Sequence, residues 1–206
     1  MIKYRNNYYL LAKVPKDTIM EIRVATAKDA EAISKIYKPY VEKTAVSFEY
    51  EAPGVDEMKR RMQSTLEKYP YLVLLEDNTI IGYAYAGAFH SRIAYIHSAE
   101  LSVYLDMNHR HKGYGRLLYQ RLEEILLSQN VYMVHACIAS PDEKDEHLTD
   151  DSELFHKTMG YKLSARHEKC GYKFGKWYSV VWMDKELVEK SENPADFIPF
   201  SKLVQL

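Results

Sequence analysis

The sequence predicts a single α/β domain on a mixed β-sheet, and three features carry that expectation: a hydrophobic hairpin, a βαβ unit and the chain length. Tyr71-Leu72-Val73-Leu74-Leu75 and the run 79–87 read as strands flanking Asp77-Asn78, a two-residue turn, so they pair antiparallel. A strand at Ala99-Glu100-Leu101-Ser102-Val103-Tyr104-Leu105 leads into a glycine turn and a helix carrying Leu117, Leu118, Leu122, Ile125 and Leu126. A strand rich in β-branched and aromatic residues follows at 131–139. That order sets two parallel strands side by side, because the crossover helix returns the chain in the same direction. At 206 residues the chain suits one core with appendages better than two. The expected domain is 21–188, with an N-terminal extension at 1–20 and a tail at 189–206.

The other elements follow in order. Residues Met1 to Met20 are basic and aromatic without a clear period, an extension that lies on the domain or on a partner. The first domain strand begins near Glu21-Ile22-Arg23-Val24. Thr26 followed three residues later by Asp29 has the pattern of a capping box with a shortened acid. Ala30, Ile33, Ile36, Tyr37 and Tyr40 recur at helical spacing, and Pro39 should break that helix or leave it irregular. Ala45-Val46-Ser47-Phe48-Glu49-Tyr50 precedes the breaker Pro53-Gly54, and a second helix carries the stripe Val55, Met58, Met62 and Leu66 until Pro70 stops it. Between Pro141 and Glu153 seven acids, Asp142, Glu143, Asp145, Glu146, Asp150, Asp151 and Glu153, face only Lys144, which reads as a solvated surface loop. A short helix from Ser152 to Met159 ends at Gly160, where a left-handed cap suits glycine. Strands at 161–167 and 178–183, linked through Gly171 and Gly175, complete the sheet. The tail ends in the apolar run Phe197-Ile198-Pro199-Phe200, and docking on the domain or a subunit contact are both open.

Composition narrows the function classes. Charged residues make up 28% and the formal net charge is -1, without the basic excess that a nucleic-acid partner favours. No run of about 18 apolar residues exists, so no membrane-spanning helix is expected. Met1-Ile2-Lys3-Tyr4-Arg5 lacks the apolar core of a signal peptide, which points to the cytoplasm. Cys137 and Cys170 make no metal-ligand spacing and read as free thiols. Most of the 18 tyrosines are expected at sheet edges; a large ring with one polar tip also suits a cleft wall.

Arg110-His111-Lys112-Gly113-Tyr114-Gly115 carries the chemistry. A pyrophosphate needs several backbone N–H groups converging on one small volume, and a helix N-terminus supplies those donors and a favourable dipole. Gly113 and Gly115 take away Cβ atoms that would hold phosphates off, while Arg110 and Lys112 add positive charge. The turn lacks the lysine-serine ending of a P-loop. It also lies far into the chain behind antiparallel elements, unlike a Rossmann dinucleotide half. His109 and His111 have no third convergent ligand, so no metal is expected. Cys137, in a strand, reads as a small buried hydrophobe rather than an acyl carrier.

A strand, an R-x-x-G-x-G turn and an amphipathic helix in a mixed six- to seven-stranded sheet flanked by helices resemble the acyl-CoA-binding core of the GCN5-related N-acetyltransferase superfamily. Tyr83-Ala84-Tyr85-Ala86-Gly87, Arg92-Ile93-Ala94-Tyr95 and Ala99-Glu100-Leu101-Ser102-Val103-Tyr104 are similar to the phosphinothricin and methionine sulfoximine N-acetyltransferases. So are Thr26 to Asp29, Ala45-Val46-Ser47-Phe48-Glu49, Phe155-His156-Lys157-Thr158-Met159-Gly160-Tyr161 and Gly171-Tyr172-Lys173-Phe174-Gly175-Lys176-Trp177. The likeness runs from Met20 to Val188.

That resemblance implies a GNAT-type acyl-CoA N-acyltransferase fold and acetyl-CoA as the acetyl donor. It implies that the two central parallel strands splay to admit the pantetheine arm, with the backbone of Val103, Tyr104 and Leu105 on its amides. Arg110, His111, Lys112, Gly113, Tyr114 and Gly115 would take the pyrophosphate, with Thr149, Ser152 and His156 beside the cofactor. Glu100 takes the role of general base, directly or through water, because an ammonium cannot attack before it loses a proton. Tyr104 would protonate the leaving thiolate, and a backbone N–H near Val103 would polarise the carbonyl. Arg92 would grip a substrate carboxylate, and Phe48, Tyr83, Tyr85 and Tyr95 would line the cleft. A homodimer is implied too, with the hairpin 171–177 at the partner's acceptor cleft.

Three positions depart from the family pattern: Thr149 where asparagine is common, Phe174 in place of histidine, and Ser179 in place of aspartate. They leave the acceptor open. A small amino-acid-like amine such as phosphinothricin or methionine sulfoximine is expected. The alternatives are a polyamine, an aminoglycoside or a protein amine, favoured if the acidic loop rims the cleft, or a non-catalytic acyl-CoA sensor.

Overall fold

A computed structural model describes residues 10–13, 19–143 and 145–203. Its strands are β1 (Leu10–Lys13), β2 (Ile19–Val24), β3 (Tyr71–Glu76), β4 (Thr79–Ala88), β5 (Ser98–Leu105), β6 (Met133–Ser140), β7 (Lys162–Lys173) and β8 (Lys176–Glu186). They form one sheet in the order β1-β2-β3-β4-β5-β6-β8-β7. The β5–β6 pair is parallel and every other pair is antiparallel. Seven strands, β2 to β8, answer the expected six to seven. The short β1 adds an edge strand from the N-terminal extension, of which 1–9 and 14–18 fall outside the described residues.

Helices α1 (Ala30–Lys43) and α2 (Val55–Lys68) cover one face of the sheet, and α3 (Tyr114–Ser128) covers the other. Strand alternation sorts the two cores. Ala99 and Leu101 of β5 pack with Leu118, Leu122 and Ile125, while Tyr71, Val73 and Tyr83 pack with Ile33, Tyr37, Met58 and Met62. The short α4 (Asp151–Thr158) and α5 (Phe200–Leu203) complete the fold. Among the described residues no helix is long and apolar enough to cross a membrane.

Local chemistry explains most boundaries. The Thr26 amide donates to Asp29 Oδ2 at 2.7 Å, and Arg23 forks onto the same carboxylate at 2.7 and 2.8 Å, so one acid closes the capping box of the 3-10 turn (Ala27–Asp29) that leads into α1 and ties that turn to β2. Helix α1 runs through Pro39 to Lys43. The ring removes one ladder bond, at about 3 kcal/mol, but the turn beyond it buries Tyr40 and Val41 to 6% and 1% exposure. Burial of that kind returns roughly 1.5–3 kcal/mol per side chain. Asp77 and Asn78, at φ 46° and 66°, make the hairpin turn between β3 and β4.

Two expectations need correction, and one open placement is decided. The segments at 161–167 and 178–183 are parts of one long β7–β8 hairpin, whose register shifts between Leu163 and Ala165 and between His167 and Gly171. Those bulges break the alternation that would have revealed the length. The acidic stretch is not simply solvated: Leu148 is buried with Ala45 and Tyr178. Asp145 accepts from Lys176 Nζ at 2.8 Å and the Tyr178 hydroxyl at 3.0 Å. Burial opposes ionisation there, yet the Lys176 ammonium, the His147 and Leu148 amides and Tyr178 together pull its carboxyl down to about 2. The tail, whose placement was open, docks on its own domain. Phe200 is buried, Phe197 meets Tyr69 at 5.5 Å, and Gln129 Nε2 donates to the carbonyls of Lys68 and Ile198 at 2.7 and 2.8 Å.

Candidate active site

The sheet opens at its centre. Strands β5 and β6 pair at only three positions, Ser98 with Met133, Ala99 with Val134 and Glu100 with His135. Beyond Glu100 the two diverge and leave a gap of about 60 Å³. It is lined by four of the expected cofactor residues, Val103, Tyr104, Ser152 and His156, together with Ser102 and Cys137. His156 Nδ1 donates to the Ser152 carbonyl at 2.7 Å, so Nε2, 3.0 Å from the Tyr119 hydroxyl, is an acceptor. Burial lowers the His156 pKa to about 4, which makes it a neutral, fixed wall.

Cys137 is exposed at this gap rather than buried, because β6 has lost its β5 neighbour there. Desolvation by the packing around the gap, with the Glu100 charge, pushes its thiol up to about 11, so it stays protonated.

The glycine turn sits at the end of β5. Gly113, at φ 82°, is the left-handed N-cap of α3, a conformation in which a side chain would be strained. The amides of Lys112, Gly113, Tyr114 and Gly115 are bonded to no carbonyl among the described residues, as expected of donors at a helix start. Tyr114 offers only its backbone, since its buried ring sends the hydroxyl to Glu76 at 3.0 Å. Arg110 Nη2 bonds Asp151 at the start of α4 at 3.0 Å, and His111 Nε2 lies 3.7 Å from the same carboxylate. His109 is held by Asp106 at 2.9 Å and Glu76 at 3.2 Å. Among the described residues no group of three or more His, Cys, Asp and Glu is placed to hold a metal ion.

On the opposite face lies a cleft. Glu100, Ser102 and Tyr104 of β5 pair in register with Gly87, Tyr85 and Tyr83 of β4. Tyr83 stacks between Tyr71 at 5.7 Å and Tyr104 at 5.3 Å, and Tyr37 and Tyr40 of α1 meet Tyr104 edge-on. These tyrosines fill the space between sheet and helices instead of sitting at sheet edges. Their ring area is useful inside, and the cleft leaves their hydroxyls room for polar partners. The cleft, about 490 Å³, is lined by Tyr37, Glu49, Arg61, Tyr71, Tyr83 and Tyr85 and reaches Gly87, the register partner of Glu100. Arg61 Nη1 donates to Glu49 at 2.8 Å, and the Tyr37 hydroxyl donates to the same oxygen at 3.0 Å. Burial raises the Glu100 carboxyl above the usual glutamate range.

Sequence reasoning missed Arg61, Glu49 and Tyr37. Arg61 stands on the polar side of an amphipathic helix, where nothing local separates a cleft residue from a solvated one; Glu49 carried the one hint, its place beside Phe48 in a family-like stretch. The expected acceptor residues divide. Tyr83 and Tyr85 are in the wall. Phe48 packs instead against Gly171, where a Cβ would lie 2.1 Å from the ring, so the close approach requires glycine. Arg92 and Tyr95 lie on the β4–β5 connection and line neither cavity; Arg92 is exposed and Tyr95 packs on Phe89 at 5.9 Å. Thr149 is exposed ahead of α4 and outside the gap lining.

A parallel pair parted beside a helix N-terminus, with a tyrosine-walled cleft behind it, is the frame of an acetyltransferase. Residues 22–182 match the acetyltransferase (GNAT) domain, and the chain belongs to that family. Phosphinothricin N-acetyltransferase of Streptomyces viridochromogenes is 30% identical over 93% of this chain and 99% of its own length. The L-amino acid N-acyltransferase MnaT of Escherichia coli is 32% identical over 85% of this chain and 99% of its own. Among solved structures, a phosphinothricin acetyltransferase from Sinorhizobium meliloti in complex with acetyl-CoA superposes with a TM-score of 0.79 at 29% identity, covering 88% of this chain and 97% of that one.

Proposed function

We propose that this protein transfers the acetyl group of acetyl-CoA to the primary amine of a small amino-acid-like substrate. The observation that carries the reading is the position of Glu100, which lines neither cavity itself but stands half-buried at the last paired residue of β5, where that strand parts from β6, and in register with Gly87 of the tyrosine cleft. The names of the relatives in the phosphinothricin and L-amino acid classes support the same acceptor.

Bound acetyl-CoA supplies an acetyl thioester. The backbone of Val103 to Leu105 would hold its pantetheine arm, and the amides of Arg110 to Gly115 its pyrophosphate, with Arg110 and Lys112 adding charge. Glu100 takes a proton from the acceptor ammonium; its raised pKa narrows the gap to the amine's and makes that transfer easier. Tyr104, whose phenol burial keeps protonated, carries a proton at the edge of the gap. Arg61 receives the acceptor's carboxylate in exchange for Glu49, and Arg92 on the β4–β5 connection is a second cation for it. We read the enzyme as a cytoplasmic homodimer, supported by the exposed, mutually packed Tyr172 and Trp177 at the β7–β8 hairpin. A polyamine acceptor draws no support from the acidic stretch, whose Asp142 and Asp145 are paired with Arg166 and Lys176.

The test is thiol release from acetyl-CoA with phosphinothricin, methionine sulfoximine, common amino acids, polyamines and aminoglycosides. Turnover of the amino-acid group is expected. Turnover of polyamines alone would overturn the acceptor, and silence with acetyl-CoA still bound would make the protein a sensor. Glu100→Gln should lower kcat by about 10²–10⁴ with acetyl-CoA affinity unchanged by calorimetry. Arg61→Gln should raise KM for the acceptor about tenfold and leave KM for acetyl-CoA alone.

A further inference from the structure

Glu100 belongs to a row of residues that crosses four strands. Register pairs Gly87 with Glu100, Glu100 with His135, and His135 with Asp184, and residues opposite one another project from the same face. Asp184 Oδ1 lies 2.8 Å from His135 Nδ1. An ionised carboxylate only accepts, so Nδ1 carries the hydrogen and the neutral ring presents Nε2 as an acceptor. The ring is fixed in that pose: it stacks on Phe89 at 3.8 Å, with Trp182 edge-on to Phe89 at 5.6 Å, and His135 is 6% exposed. Its Nε2 is buried with no hydrogen-bond partner among the described residues, a costly state for a polar atom that packing alone does not explain. The other titratable groups around the dyad are Lys162, in register with Asp184, Cys137 two residues along β6, and His90, whose ring meets Phe89 at 4.3 Å.

Resting on the reading of Glu100 as base, we propose that the His135–Asp184 dyad is the proton outlet of the acceptor site. Joining an acetyl group from a thioester to an ammonium forms the amide C–N bond, breaks the C–S bond, and yields amide, thiol and one proton. The proton taken by Glu100 must leave before the next turnover. Glu100 and His135 make no direct hydrogen bond, so the outlet requires a water to enter beside the buried Nε2 and carry the proton between them. Nε2 receives the proton, Asp184 stabilises the imidazolium, and the proton passes on to solvent; nothing is oxidised or reduced. His135 acts through Glu100 and is in that sense a positioning residue.

Steady-state kinetics of His135→Gln, Glu100→Gln and the double variant test this, together with NMR of the His135 imidazole in the free protein. His135→Gln should lower kcat about tenfold with both KM values kept, and the double variant should be no slower than Glu100→Gln alone, as for residues on one proton path. NMR of the unsubstituted protein should find the neutral His135 imidazole with hydrogen on Nδ1 and none on Nε2. Unchanged kcat in His135→Gln, a loss that multiplies that of Glu100→Gln, or a neutral ring with its hydrogen on Nε2 would each overturn the outlet. If Glu100→Gln itself turns over normally, the assignment of Glu100 as base falls and the outlet with it. Collapse in Glu100→Gln beside a normal His135→Gln removes the outlet alone.

Discussion

Strand β6 treats its two neighbours unequally. It stays in register with β8 along its whole length, from Met133 opposite Glu186 to Ser140 opposite Ser179, but keeps β5 for three positions only. The closed edge joins the core through Val181, Met183 and the side chains packed on them. The open edge exchanges ladder hydrogen bonds for a gap with Cys137, Tyr119 and His156 around it. Both edges belong to one strand, so the difference lies in what each edge faces. A sheet gives up pairing where its backbone groups have another use, because unpaired buried N–H and C=O groups are otherwise expensive.

The contrast can be broken in three ways. The largest effect expected is on stability through His156, beneath the open edge. Its folded pKa is about 4 against an ordinary 6.5, so as pH falls the unfolded chain takes up the proton first. The contribution is therefore complete above 6.5 and lost progressively down to 4, a total of roughly 3 kcal/mol. Urea unfolding at pH 7 and pH 4.5, with His156→Gln as the reference that lacks this slope, measures it. Next, Cys137→Phe fills the gap with a ring. It should lower kcat/KM for acetyl-CoA about a hundredfold while melting near the parent temperature, and a parent-like rate would mean the gap is not the cofactor's channel. The smallest is on the closed edge: Val181→Ala, at a position 1% exposed, should cost about 2 kcal/mol of stability with kcat unchanged. A variant there that lost activity and kept its stability would reverse the assignment of roles to the two edges.

Much of the frame was legible because it is written locally. The Asp77-Asn78 turn, the helix start at Gly113 and the stripes of α2 and α3 depend on residues within a few positions of one another. The glycine turn was legible for the same reason, since a strand end, a glycine and a helix start lie close together along the chain. The tyrosine cleft was legible only in part. Tyr83 and Tyr85 alternate along a strand and so announce a face, whereas Arg61 becomes a cleft residue only because α2 lies over β3 and β4 with that side toward Glu49. Pro39 misled in the other direction: its local cost is real, and the burial of Tyr40 and Val41 outweighs it.

By itself, the sequence determined the strand and helix periods, the turn chemistry and the glycine-capped helix start, all set by neighbours along the backbone. Tertiary structure alone decided where β5 parts from β6, that Glu100, His135 and Asp184 stand in one row, and that Arg61 meets Glu49. Those are relations between positions separated along the chain, and sheet register with helix docking, rather than any local preference, brings them together.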